Sequence, residues 1–192
     1  ASGMGGASVA DFNLDGRPDL LLANDSEGLL LMRQIPDGSF EKQPFGREIP
    51  NNYYGVVATG VATGDINGDG LDDVCGRGTA GVLCAVSTGQ GFERPHIWSF
   101  RDDFSNAAGW NSAASYYLSI RLGDIDGDGL SDVCGRHSSG VVCAVSTGHS
   151  FDAAMPMVAH DYTNARGWLP DRYGTTLQLA DLTGEGHADV CG

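Results

Sequence analysis

The chain has 192 residues and a formal net charge of -14, from 25 acids against 11 bases, with Lys42 as its single lysine. Such a balance disfavours a nucleic-acid partner, because binding phosphates needs a basic face. No stretch approaches the ~18 apolar residues of a membrane-spanning helix, so membrane insertion is not expected.

The 29 glycines lie between short Val/Leu-rich runs rather than in one linker. That pattern predicts an all-β chain of many short strands joined by tight turns. The start, ASGMGGASVADFN, has neither a basic n-region nor an apolar h-region, so any secretion signal is expected to have been removed or to lie outside this stretch.

Four nine-residue strings recur: DFNLDGRPD from Asp11, DINGDGLDD from Asp65, DIDGDGLSD from Asp124 and DLTGEGHAD from Asp181. They begin 54, 59 and 57 residues apart. Each period reads as strand, acidic loop, strand, Gly-rich turn and strand, with a fourth strand expected in the variable stretch, for example around His96 to Phe100. Such a unit is a four-stranded antiparallel β-propeller blade, since β-helix coils are shorter than ~50 residues. The predicted blades span about 5–52, 53–111 and 112–170, with half a blade at 171–192. Three and a half blades do not close a ring, so the rest is expected from further sequence or from a second chain.

Oxygen donors at positions 1, 3, 5 and 9 of each string, with Gly at position 6 for a sharp turn and the carbonyl of position 7, can surround a hard cation. Ca²⁺ suits such a set because it accepts six to eight oxygens in flexible geometry. Blade one offers Asp11, Asn13, Asp15, Arg17 (through its carbonyl) and Asp19. Blade two offers Asp65, Asn67, Asp69, Leu71 and Asp73, and blade three Asp124, Asp126, Asp128, Leu130 and Asp132. Blade four departs from the pattern, with Asp181, Thr183, Glu185, His187 and Asp189, and its longer Glu185 changes the geometry. An EF-hand is excluded, because it needs a Glu at position 12, where these strings have Leu22, Gly76, Gly135 and Gly192. The plain alternative is four acidic surface turns, although repetition at blade spacing argues against it.

Cys75 and Cys84 are nine residues apart, as are Cys134 and Cys143, each pair flanking a Gly-containing turn. Across a hairpin such pairs come close enough for a disulfide. Blade one has Leu21 and Leu31 instead, and Cys191 would find its partner nine residues further on. Disulfides imply a secreted or cell-surface location; the alternative, five reduced core cysteines, fits a reducing compartment.

The stretches between blades carry a second repeat, DDFSNAAGW ending at Trp110 and HDYTNARGW ending at Trp168. A Gly-held tryptophan on a propeller loop offers a flat face for a sugar ring; equally, it can be a wedge between blades. Tyr53, Tyr54, Tyr116 and Tyr117 carry the same two readings. No HExxH, GxSxG, P-loop or dinucleotide motif occurs, and the five histidines form no metal spacing, so no enzyme is expected.

The acidic strings resemble the FG-GAP or VCBS repeats of integrin-α-like propellers, whose DxDxDGxxD loops bind calcium between the first two strands of each blade. The linkers resemble those of the seven-bladed lectins related to the Psathyrella velutina lectin, in which sugars bind between neighbouring blades. These resemblances imply a calcium-stabilised binding module with Trp110 and Trp168 as glycan contacts. The expected partner is a glycan or a cell-surface protein. The rival expectations are the propeller of a secreted polysaccharide-degrading enzyme and a structural surface or filament component.

Overall fold

A computed structural model describes residues 4–24, 28–43 and 61–192. Tyr53 and Tyr54, and most of the first linker, lie outside the described residues.

Three four-stranded antiparallel sheets follow one another along the chain. The first is formed by β1 (Met4–Ala10), β2 (Asp19–Asn24), β3 (Gly28–Gln34) and β4 (Phe40–Gln43), in that spatial order. The second comprises β5 (Val61–Gly64), β6 (Asp73–Gly78), β7 (Gly81–Ala85) and β8 (His96–Ile97), so the fourth strand falls where the sequence placed it. In the third, β9 (Arg121–Gly123), β10 (Asp132–His137), β11 (Gly140–Ala144) and β12 (Met155–Val158) repeat the order. A two-stranded sheet ends the series, with β13 (Gln178–Ala180) paired to β14 (Asp189–Cys191). Sequential strands pairing side by side give each sheet the up-and-down meander of a propeller blade.

Among the described residues, helix is confined to single turns, α1 (Ala114–Tyr117) and α2 (Asp171–Gly174), each just ahead of the first strand of the following blade, and a 3-10 turn at Asn164–Arg166. No described helix is long and apolar enough to cross a membrane.

The apolar core lies between blades rather than within one. Leu21 and Leu31 of the first sheet pack with Phe12 against Val74, Ala85 and Phe92 of the second. Cys75, Cys84 and Trp98 of the second sheet face Val133, Ala144 and Phe151 of the third. Cys134, Val141 and Cys143 then meet Leu177, with Leu179 and Val190 of the fourth packed alongside. Because side chains alternate across a strand, one residue faces the preceding blade and the next faces the following one. The second and third sheets are thus covered on both sides.

Candidate functional site

Each acidic loop lies between the first two strands of its blade, closed by its own backbone. Asp65 accepts hydrogen bonds from the Gly68 and Gly70 amides at 2.7 and 2.8 Å, and Asp124 from those of Gly127 and Gly129 at 2.7 and 2.9 Å. Asp181 does the same with Gly184 and Gly186, and these amides hold its carboxyl below the usual range. Position 4 needs positive φ in every loop, supplied by Gly68, Gly127 and Gly184 but by Leu14 in the first, at φ 55°. A left-handed leucine costs about 1–2 kcal/mol, so the first loop is the most strained.

The third-blade loop has the strongest donor set. Carboxylate oxygens of Asp124, Asp126 and Asp128 all lie within 4.8 Å of one another. Three hard anionic oxygens converging this closely repel one another and fit a divalent cation such as Ca²⁺. In the second loop, Asn67 Nδ2 donates to Asp69 Oδ2 at 3.1 Å. The first loop supplies its own cation: the Arg17 guanidinium sits on Asp15 at 2.5 Å and also donates to the Gln34 carbonyl. In the fourth, Glu185 lies 3.6 Å from His187, and its carboxylate is exposed.

Position 9 serves a purpose that the spacing did not reveal. Asp73 is fully buried and accepts from Ile66 N–H at 3.1 Å and from Ser87 N–H at 2.7 Å. Asp132 repeats this with Ile125 at 2.8 Å and Ser146 at 2.7 Å. Burial pushes both carboxyls up to about 6, against the pull of those amides. Asp19 accepts from Gln34 N–H, and Asp189 from Leu182 N–H. The expected ligand at position 9 is therefore first a latch between the loop and the third strand, and Asp132 stands outside the converging trio.

Both predicted disulfides are formed, Cys75–Cys84 and Cys134–Cys143, joining directly paired residues of β6 with β7 and of β10 with β11. In the first blade the same paired positions hold Leu21 and Leu31. Cys191 is free.

Trp110 is only 4% exposed, which corrects its reading as an open sugar platform. Its ring lies against Phe104 and His137, at centroid distances of 4.7 and 5.1 Å, and over Gly135, where an added Cβ would come within 2.8 Å of it. It is the wedge between the second and third blades. Trp168 is half-buried, flanked by Tyr162 at 4.6 Å and Tyr173 at 5.1 Å, with the Arg172 guanidinium over the Tyr173 ring.

The linker repeat also carries a clasp that sequence reading missed. Arg136 is fully buried and donates to the Tyr162 carbonyl at 3.0 Å, to Asn164 Oδ1 at 2.9 Å and to Ser115 Oγ at 2.9 Å. Arg77 likewise reaches the Phe104 carbonyl at 3.0 Å and Asn106 Oδ1 at 2.9 Å. Phe104 and Tyr162, whose carbonyls are taken, both have positive φ, at 59° and 57°. The signal was present in the sequence: an Arg four residues after position 9 accompanies each Asn-Ala linker, and blade one has neither.

Residues 11–75 match the family model of the FG-GAP-like repeat. None of the curated proteins matches the sequence. A solved structure of an Agrocybe aegerita lectin, described as the structural basis of specific recognition of non-reducing terminal N-acetylglucosamine, matches with a TM-score of 0.71 and 25% identity. The match covers 95% of this chain and 44% of that one, so the chain spans less than half the length of the lectin. Residues 11–75 therefore carry an FG-GAP-like repeat, and the chain has the blade architecture of a propeller lectin.

Proposed function

We propose that this chain is a calcium-stabilised, extracellular binding module of the lectin type, recognising a glycan rather than transforming it. The observation that carries the calcium part is the convergence of Asp124, Asp126 and Asp128. Calcium bound there would neutralise their mutual repulsion and tie the loop's ends together. Asp65, Asn67 and Asp69 would hold a second ion, and Asp11, Asn13 and Asp15 a third in competition with Arg17. The fourth loop, built on Asp181, Thr183 and Glu185, is the weakest, because a hydroxyl replaces one donor and the longer Glu185 another. The two disulfides support an oxidising, extracytoplasmic setting, where calcium is abundant.

The glycan part is supported by the likeness to the lectin. Within the chain the candidate contact is Trp168, ringed by Tyr162, Tyr173 and Arg172, with its edge over Gly192 as that of Trp110 lies over Gly135. Trp110, the buried counterpart, acts as packing.

A glycan array that includes N-acetylglucosamine-terminated sugars, run with calcium and with EDTA, tests the reading. Trp168→Ala is expected to abolish retention with little change in melting temperature, whereas Trp110→Ala lowers the melting temperature. Undiminished sugar retention by Trp168→Ala would remove the site. EDTA is expected to lower the melting temperature, since free calcium at about 100 times Kd adds about 2.7 kcal/mol per site. An unchanged melt would remove the ion assignments.

A further inference from the structure

The acidic loops of neighbouring blades touch. The main-chain carbonyl of Asp65, position 1 of the second loop, accepts from the N–H of Ser131, position 8 of the third, at 2.6 Å. One blade on, the Asp124 carbonyl accepts from Ala188 N–H at 2.5 Å. Position 2 is engaged too: Ser146 Oγ donates to the Ile66 carbonyl at 2.7 Å, and Ser87 Oγ to the Phe12 carbonyl at 3.2 Å. Both serines are buried.

These same serines hold position 9 of their own blades through their amides, Ser87 on Asp73 and Ser146 on Asp132. Asp132 is therefore tied to the second loop twice. Its chain neighbour Ser131 holds Asp65, and its hydrogen-bond partner Ser146 holds Ile66. Asp65 in turn closes the second loop by accepting from Gly68 and Gly70. No candidate ligand is a serine, so the relay lies outside the donor sets while contacting those of the second and third loops.

We propose that ion uptake by one acidic loop raises the affinity of the loop in the adjacent blade, with Ser87 and Ser146 as the coupling residues. This rests on reading the loops as calcium sites. An ion that fixes the second loop also fixes the carbonyls of residues 65 and 66 in the positions that the third blade's donors require. The bonds so favoured hold Ser131 and Asp132 in place for the next ion, and by linkage the effect is reciprocal. A single neutral hydrogen bond corresponds to a coupling of roughly 2- to 10-fold in affinity.

The test is calcium titration by calorimetry on the wild type, Ser146→Ala, Ser87→Ala and the exposed-site control Thr147→Ala, with ion stoichiometry measured in parallel. The wild-type isotherm is expected to be steeper than independent sites allow. Ser146→Ala should flatten it, weakening the later-filling site roughly 2- to 10-fold at unchanged stoichiometry, while Thr147→Ala behaves as wild type.

A second readout does not depend on the shape of an isotherm. With the second loop disabled by Asp69→Asn, calcium should still slow amide exchange at Gly68 and Gly70, and adding Ser146→Ala should abolish that slowing. Independent sites in the wild type, or a Ser146→Ala isotherm superimposed on it, overturns the coupling while leaving the calcium reading intact. No ion bound by any variant removes both.

Discussion

The first blade and the two that follow share one backbone plan and hold it together by different means. Blades two and three staple β6 to β7 and β10 to β11 with buried disulfides, where blade one opposes Leu21 to Leu31. They also anchor the outgoing linker with Arg77 and Arg136, where blade one has Ala23. Their loops turn on glycine at position 4, where blade one strains Leu14, and Arg17 neutralises Asp15 from within. The sheet is therefore the invariant, and the staple, clasp and loop chemistry are attachments that come and go together. Apolar pairing alone suffices for a blade, whereas the additions fix the linkers and, with them, the tryptophans.

Replacing Arg136 by Met should give the largest effect. The change leaves the Tyr162 carbonyl and the Asn164 and Ser115 side chains without their donor. A loss of about 3–5 kcal/mol in urea unfolding is expected, at about 1–3 kcal/mol per buried group left unpaired. A loss under about 1 kcal/mol would mean that the clasp is incidental to stability.

Next in size is the staple. Changing Cys75 and Cys84 together to Ala should cost about 2–4 kcal/mol, the usual worth of a disulfide. Changing them to Leu, copying Leu21 and Leu31, should recover part of that through buried apolar area. If the Leu pair is no better than the Ala pair, the two blades' solutions are not interchangeable, and the packing of Trp98 and Phe104 around the sulfurs sets the limit.

The smallest effect concerns His137, which stands where blade two has Gly78, its ring against Trp110 and Tyr116. Burial, and then the charge of Arg136, lowers its pKa below the ordinary 6.5. A depressed folded-state value means that the stabilisation is present above pH 6.5 and is lost as pH falls through the folded-state value. Melting curves from pH 7.5 to 5 should show the wild type losing ground to His137→Gln on acidification. Parallel curves would place the imidazole in a solvated setting.

The repeat, the antiparallel sheets and the cysteine partners were legible in the residues because each is a matter of spacing: a nine-residue hairpin brings Cys134 opposite Cys143 whatever surrounds it. The clasp was not, although Arg136 and Asn164 each recur, because nothing in their 28-residue separation says that a left-handed Tyr162 will turn the linker back onto β10. The tryptophans were ambiguous for the same reason. Whether Trp110 faces water or protein is decided by the bare backbone of Gly135, a residue that reads in the sequence as mere strand punctuation. Position 9 does more than its spacing tells, because Asp73 and Asp132 are fully buried and held by main-chain amides that lie 7 and 14 residues away.

The main-chain carbonyls of one acidic loop accept from the next blade, so the bonds between neighbouring loops have a direction. Ser87, Ser131, Ser146 and Ala188 are the donors, and in each case the acceptor, Phe12, Asp65, Ile66 or Asp124, was synthesised earlier. A nascent chain leaving the ribosome amino end first would thus present finished acceptor templates to whatever emerges next.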